Sequence, residues 1–201
     1  MKTNFLKVLS LLLFFLPVTA LAERPPIEFG GYLSAVANDG PNGSDFDGSI
    51  RADGFISYQL QPNFFVDVGF SQSSDTETGD ADNTGTYKLK MSSNDLFAGL
   101  RVQVPVSQRF GFFGRGGVLY YYSEIEFEES FYDIKPGGKL EEIEEGTGFY
   151  FDGGVSFSLS PKLDLKTGVT YRVRKDYFED SAKSFDMDEL GLMVGVTFKN
   201  L

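Results

Sequence analysis

The sequence predicts an all-β fold: a closed eight-stranded antiparallel up-and-down transmembrane β-barrel with short periplasmic turns and long extracellular loops. Three observations predict it. Eight segments alternate apolar and polar residues with the period of a strand. The links between them alternate strictly between short and long. The polar face of the segments carries a balanced set of charges, although the whole chain has a formal charge of −11.

The first 22 residues are set apart from this pattern. Lys2 and Lys7 precede an apolar run from Val8 to Leu16, Pro17 breaks it, and Ala20-Leu21-Ala22 has the form of a cleavage site. This is the layout of a secretory signal peptide, and the run is too short for a membrane helix. The expected domains are therefore a signal peptide over 1–22 and one barrel over 23–201. Loss of Lys2 and Lys7 takes the charge from −11 to −13, which disfavours nucleic acid as a partner. With no Cys, an exported chain is held by its core or by closure rather than by disulfides. The chain carries 21 Phe, 10 Tyr and 23 Gly, a composition suited to strands and turns. Stretches such as "KLEEIEE" are expected to lie between strands.

The first segment, 27–38, sets Ile27, Phe29 and Leu33 on one face and Glu28 on the other. The second, 48–60, opposes Ile50, Ile56, Tyr58 and Leu60 to Arg51 and Asp53. Pro62 turns the chain into the third, 63–73, where Phe64, Val66, Val68 and Phe70 lie opposite Asp67. The fourth, 94–104, opposes Leu96, Leu100 and Val102 to Asp95 and Arg101. Pro105 opens the short link to the fifth, 109–123, with Phe110, Phe112, Val118, Tyr120 and Tyr122 opposite Arg115. The sixth, 147–159, opposes Phe149, Phe151, Val155, Phe157 and Leu159 to Asp152. Pro161 turns into the seventh, 163–174, where Leu163, Leu165, Val169, Tyr171 and Val173 face away from Asp164, Lys166, Arg172 and Arg174. The eighth, 188–199, opposes Leu190, Leu192, Val194, Val196 and Phe198 to Glu189 and Lys199.

Proline fixes its own φ and donates nothing to a ladder, which suits the three tight links. The other links, 39–47, 74–93, 124–146 and 175–187, are long and acidic. A meander of this kind gathers the tight turns at one end and the long loops at the other, and its even strand count places both termini at the turn end. Tyr87, Leu89 and Met91 fall out of phase with Leu96, Leu100 and Val102. Either Ser92-Ser93-Asn94 holds a bulge or 86–91 extends a strand beyond the membrane, and the extension is the expectation.

The two faces decide the environment. Seven acids and seven bases share the polar face, whereas the apolar face carries no charge. Arg or Lys turned toward lipid costs roughly 2–4 kcal/mol at the midplane, and several would exceed a domain's whole stability. The charges therefore point inward, where an eight-stranded interior is just wide enough for side chains to fill. The expected lumen network is Glu28, Arg51, Asp53, Asp67, Arg101, Arg115, Asp152, Asp164, Lys166, Arg172 and Glu189, with Arg115, Arg172 and Asp152 central. Phe65, Phe97, Phe113 and Tyr150 share that face and fill space. Phe29, Tyr58, Phe64, Phe70, Phe110, Tyr120, Tyr122, Phe149, Phe157 and Phe198 lie near strand ends, as interfacial girdles require. The alternatives are a soluble periplasmic barrel binding an apolar ligand, with the faces reversed, and a narrow solute channel.

No His is present, so the usual hydrolytic dyads and triads cannot be built, and the chain is read as no enzyme, with no catalytic residue. No cofactor or resident metal is expected. The stretch "SEIEFEESFYDIKPGGKLEEIEE" holds nine acids and two lysines, and "SSDTETGDADNTG" holds four acids and no base. Candidate loop contacts for a cation or a partner are Asp75, Glu77, Asp80, Asp82, Glu126, Glu128, Glu129, Phe131 and Tyr132. Carboxylate oxygens suit calcium, but the spacing of the first four is not that of an EF-hand.

Through its topology, and through "NDLFAGLRVQVP" and "DELGLMVGVTFKNL", the chain resembles the small eight-stranded bacterial outer-membrane proteins of the OmpA-barrel and OmpX-like group. The resemblance implies location in the outer membrane, contact with its lipid and lipopolysaccharide, and insertion by the barrel-assembly machinery. It also implies a structural role, or display of the acidic loops for binding an extracellular ligand or for adhesion. Members of the group usually end on an aromatic residue, whereas here Phe198 is followed by Lys199, Asn200 and Leu201.

Overall fold

The computed structural model describes residues 27–39, 45–81, 85–131, 139–177 and 185–199. Among them run eight strands: β1 (Ile27–Asp39), β2 (Asp45–Gln61), β3 (Phe64–Ala81), β4 (Gly85–Pro105), β5 (Phe110–Phe131), β6 (Lys139–Ser160), β7 (Leu163–Tyr177) and β8 (Phe185–Lys199). Each pairs antiparallel with the next, and β1 pairs with β8 to close the barrel. The segment 1–22 expected as a signal lies outside the described residues.

The period of two divides the side chains between an oily exterior and a charged interior. On β8, Leu190, Leu192, Val194 and Phe198 are exposed, Leu192 by 69 %. On β7, Arg172 is 0 % exposed while its neighbour Tyr171 faces outward. A soluble barrel would need the opposite arrangement, so that alternative is set aside. The outward apolar run on β8 spans nine residues from Leu190 to Phe198. A tilted membrane strand needs about 9–11 residues, so the band matches a bilayer core.

The tight links lie together at one end. Pro62 presets its own φ, and Asn63 takes φ 77°, a left-handed value that Asn tolerates better than most residues. Gln61 pairs with Phe64 and Gln59 with Phe65, leaving Leu60 as a one-residue bulge. The Pro161 turn repeats the device, with Leu159 as the extra residue. In the Pro105 link, Ser107 Oγ accepts hydrogen bonds from the backbone N–H of Arg109 (3.3 Å) and of Phe110 (3.1 Å).

At the other end several expectations are corrected. The segments expected as long loops are mostly strand. β3 runs to Ala81 and β4 begins at Gly85, while β5 runs to Phe131 and β6 begins at Lys139. "KLEEIEE" is therefore part of β6 and does not lie between strands. Asp75, Glu77 and Asp80 lie on β3, and Glu126, Glu128, Glu129 and Phe131 lie on β5. Asp82 and Tyr132 lie outside the described residues. The physical reason is that the ladder continues past the lipid band, where both faces of a strand are free to be polar and the alternation that marks a half-buried strand fades. β4 pairs with β3 and β5 without a register shift through Ser92-Ser93-Asn94, so the bulge is absent and residues 86–91 extend the strand. Tyr87, Leu89 and Met91 are in phase with Asp95 and Arg101, on the interior face.

These extensions build a wall. Pairing of β2 with β3 ends at Ile50 opposite Ser74, and pairing of β6 with β7 ends at Gly148 opposite Arg174. Beyond those points β3, β4, β5 and β6 continue as a four-stranded sheet that rises above the band on one side of the mouth.

The lipid-facing assignment makes a quantitative prediction. Leu192→Arg should lower unfolding stability in phospholipid bilayers by about 2–4 kcal/mol, by denaturant titration, as expected for an arginine near the midplane. Thr86→Arg, on the exposed wall, should change it by less than about 0.5 kcal/mol. Equal effects at the two positions would place the band elsewhere.

Candidate functional site

Two regions carry the charge of this molecule: the closed interior and the outer wall. Inside, Glu28, Arg51, Asp53, Asp67, Arg101, Arg115, Asp152, Asp164, Lys166, Arg172 and Glu189 are all buried. Asp95 and Arg174 are buried with them.

Six of these side chains close a circuit of alternating sign. Arg51 Nε lies 3.2 Å from Asp53 Oδ1, which also accepts from Arg172 Nη2 at 3.0 Å. Arg172 Nη1 reaches Asp95 Oδ2 at 2.7 Å, and Arg174 Nη2 reaches the same oxygen at 2.9 Å. Arg174 Nη1 meets Glu189 Oε2 at 3.2 Å, and Glu189 pairs with Arg51 to complete the loop. Ser71 and Thr170 hydroxyls accept from Arg172 (2.6 Å) and Arg51 (2.8 Å). The circuit draws on β2, β4, β7 and β8, so it ties opposite walls of the barrel across the lumen. Three guanidinium groups and three carboxylates cancel, and each fork donates to more than one oxygen, which suits arginine rather than lysine.

Next to the circuit Arg115 sits in an aromatic cage. Its Nε donates to Asp152 Oδ2 at 2.7 Å. The rings of Tyr32, Phe55, Phe97 and Tyr150 have centroids 4.9 to 5.3 Å from its Cζ. A desolvated cation over ring faces gains electrostatically from each of them. Two inward glycines make the cage possible. A Cβ at Gly30 would clash with the edge of the Phe55 ring, 2.3 Å from its Cζ, and one at Gly69 would fall against Phe97. On the turn side of the cage, Arg101 joins Glu28 (2.6 Å) and Asp67 (3.2 Å) and covers the Phe65 ring at 4.1 Å. Asp164 takes Lys199 at 2.7 Å. Lys166 differs from the other cations. It is fully buried, its Nζ has no hydrogen-bond partner among the described residues, and it lies 5.5 Å from the Phe113 ring centre.

Outside, the boundary between band and wall is marked by tyrosines. Tyr120 donates to Glu145 at 2.7 Å, and Tyr171 donates to Asp188 at 3.1 Å. Above it the outward face of β5 carries Glu124, Glu126 and Glu128, and that of β6 carries Glu141, Ile143 and Glu145. Lys90 lies 4.0 Å from Glu126. The other face holds Tyr87 stacked on Phe127 at 6.4 Å, with Ile125 packed onto the buried cluster below. Of the candidate loop contacts, Glu126 and Glu128 therefore share one face of β5. Among the described residues no three His, Cys, Asp or Glu side chains converge as a metal site. Alternation alone did not reveal the closed circuit or the cage around Arg115. The signal available was the pairing of inward Gly30 and Gly69 with inward rings on the neighbouring strands.

Residues 8–198 match the family model described as the outer membrane protein beta-barrel domain. No curated protein matches the chain. Among solved structures it is similar to Neisserial surface protein A, with 11 % identity and a TM-score of 0.60 over 88 % of this chain and 100 % of that one. It is similar to OprG from Pseudomonas aeruginosa, with 12 % identity and a TM-score of 0.56 over 89 % of this chain and 97 % of that one. It is similar also to Ail, the attachment invasion locus protein of Yersinia pestis, in complex with the heparin analogue sucrose octasulfate. That match has 12 % identity and a TM-score of 0.54 over 89 % of this chain and 100 % of that one. At these identities the likeness is one of fold.

Substitutions in the interior should separate paired from unpaired charge. Arg172→Met removes a partner from both Asp53 and Asp95 and should destabilise the folded barrel by about 3–5 kcal/mol. Lys166→Met removes a charge that accepts no hydrogen-bonded compensation and should be neutral or stabilising by about 1–4 kcal/mol. Urea titration in lipid bilayers distinguishes the two, and a larger loss for Lys166→Met would contradict the pairing described.

Proposed function

The chain belongs to the outer-membrane β-barrel family, and from that premise we propose that it is a non-conducting, non-enzymatic surface protein whose outer wall is its binding surface. It resides in the bacterial outer membrane, with its apolar band in contact with lipid. In this reading residues 1–22 are removed on export, the barrel-assembly machinery inserts residues 23–201, and lipopolysaccharide surrounds the band on its outer side.

The observation that carries the proposal is the contrast between the two charged regions. The interior charges are neutralised by one another across the lumen. Opening a path through them would break several buried pairs at once, each costing about 3–5 kcal/mol. The same pairing leaves the interior carboxylates engaged, which argues against a general acid or base among them. The wall, in contrast, spends strand length on residues that neither span lipid nor fill the lumen. Its β5–β6 face is acidic, which favours a cationic ligand and disfavours a sulfated one of the kind in the Ail complex.

Two measurements test this. Planar bilayers containing the purified protein should show no sustained single-channel steps, and stable unitary currents would contradict the closed lumen. A variant in which residues 76–90 and 126–141 are replaced by two-residue turns should keep the gel shift between boiled and unboiled samples, because Met91 and the barrel below are intact. It should lose most of the attachment that bacteria expressing the intact protein show to cells or matrix. Undiminished attachment would contradict the wall as the binding surface.

A further inference from the structure

The two ends of the barrel differ in charge. Among the described residues the exposed acids all lie at the outer end, on β5, β6 and the start of β8. The acids near the turns are Glu28, Asp67 and Asp164, and all three are buried. Each is matched within the lumen, Glu28 and Asp67 by Arg101 and Asp164 by Lys199. Arg109 and Lys162, in the Pro105 and Pro161 turns, are exposed instead, and no acid among the described residues pairs with either. The turn end of an acidic chain therefore shows solvent and lipid only positive charge.

Backbone hydrogen bonds set these bases side by side. The Ser158 N–H donates to the Arg109 carbonyl at 2.8 Å, which holds Arg109 against the end of β6. The Lys199 N–H donates to the Lys162 carbonyl at 2.9 Å, and the Lys199 side chain is still 25 % exposed. The three bases thus share one sector of the rim, from β5 to β8. Across the ring, the Pro62 turn between β2 and β3 offers Gln61 and Asn63 and no charge. Depth identifies what meets the basic sector. Arg109 adjoins Phe110 and Lys199 adjoins Phe198, whose rings face lipid. Phe157 and Leu165, paired across β6 and β7, continue that apolar edge between them. One residue of strand advances about 3.3 Å. The cations therefore stand at the level of lipid phosphates rather than out in the periplasm.

We infer that the rim from Arg109 to Lys199 is a binding site for an anionic phospholipid of the inner leaflet. Arg109 and Lys162 contact its phosphate, the guanidinium as a fork and the ammonium as a point charge. Phe157 and Leu165 lie against its acyl chains. Each base at a membrane surface should favour an anionic over a neutral headgroup by about fivefold. The site is at the end of the barrel away from the wall and is independent of what the wall binds.

The chain contains no Trp, so a single introduced indole reports one place on the rim. Phe157→Trp puts it in the basic sector and Phe64→Trp beside the uncharged Pro62 turn. Each full-length variant is reconstituted in phosphatidylcholine bilayers, and quenching by dibrominated phosphatidylglycerol is compared with quenching by dibrominated phosphatidylcholine. The Phe157→Trp reporter should prefer phosphatidylglycerol by about fivefold or more, and the Phe64→Trp reporter should show no preference. Adding Arg109→Gln/Lys162→Gln to the first reporter should abolish the preference while the boiled-to-unboiled gel shift remains. Arg109→Lys/Lys162→Arg should keep it. Raising sodium chloride from about 0.05 M to about 0.5 M should weaken it, because screening shortens the reach of exposed charges. Equal quenching by the two lipids at the Phe157→Trp reporter would overturn the site, as would a preference that survives Arg109→Gln/Lys162→Gln. Co-sedimentation with purified peptidoglycan that depends on Arg109 and Lys162, without any lipid preference, would assign the rim to the cell wall and overturn it equally.

Discussion

Everything in this molecule follows from burying charge in a place that water does not reach. Lipid outside the barrel admits only hydrocarbon, so the strands' polar faces must turn toward the axis. Eight strands enclose a lumen only wide enough for side chains. Ions confined there need counter-ions with good geometry, or they cost more than the fold can bear. The circuit through Arg51, Asp53, Arg172, Asp95, Arg174 and Glu189 meets that demand by giving every member two partners of opposite sign.

The remainder of the interior reads as a consequence. Arg115 cannot join the circuit as a full member, lying 3.9 Å from Asp53, and is instead held by Asp152 and four rings. The rings need space, and inward glycines on adjoining strands provide it. A closed, neutral plug frees the barrel to act as a rigid stand. The strands that rise from it, β3 to β6, form a sheet whose position is fixed by ladders continuous with the membrane portion. Binding surfaces gain from such rigidity because less order has to be imposed when a partner arrives.

The fold was legible wherever lipid touched one face of a strand. From Leu163 to Arg174 the alternation is nearly perfect because each outward residue meets hydrocarbon and each inward one meets charge. Legibility ended at the tyrosine boundary. In Glu141–Glu145 both faces are solvated and carry glutamate, so nothing in the composition distinguishes a strand from a loop, and pairing with β5 decides. The face on which each interior charge lies could be read from the period of two. Which charge meets which could not. Arg172 finds Asp53 119 positions away and Asp95 77 positions away, and those contacts depend on how the closed sheet is staggered. Lys166 shows the same limit from the other side, since its face was readable but its lack of a hydrogen-bond partner was not.

The inversion of the barrel, with hydrocarbon outside and mutually neutralised ions within, is open to direct measurement. Because the chain contains no cysteine, single cysteines can be introduced without background. Spin labels at Leu190, Leu192, Val194 and Val196 of β8 in a phospholipid bilayer report relative access to lipid-soluble oxygen and to a water-soluble nickel chelate. High oxygen access and little chelate access are expected at all four, with oxygen access greatest at Leu192 and Val194. Chelate access at these positions with oxygen excluded would show that this face meets water, and would contradict the inversion.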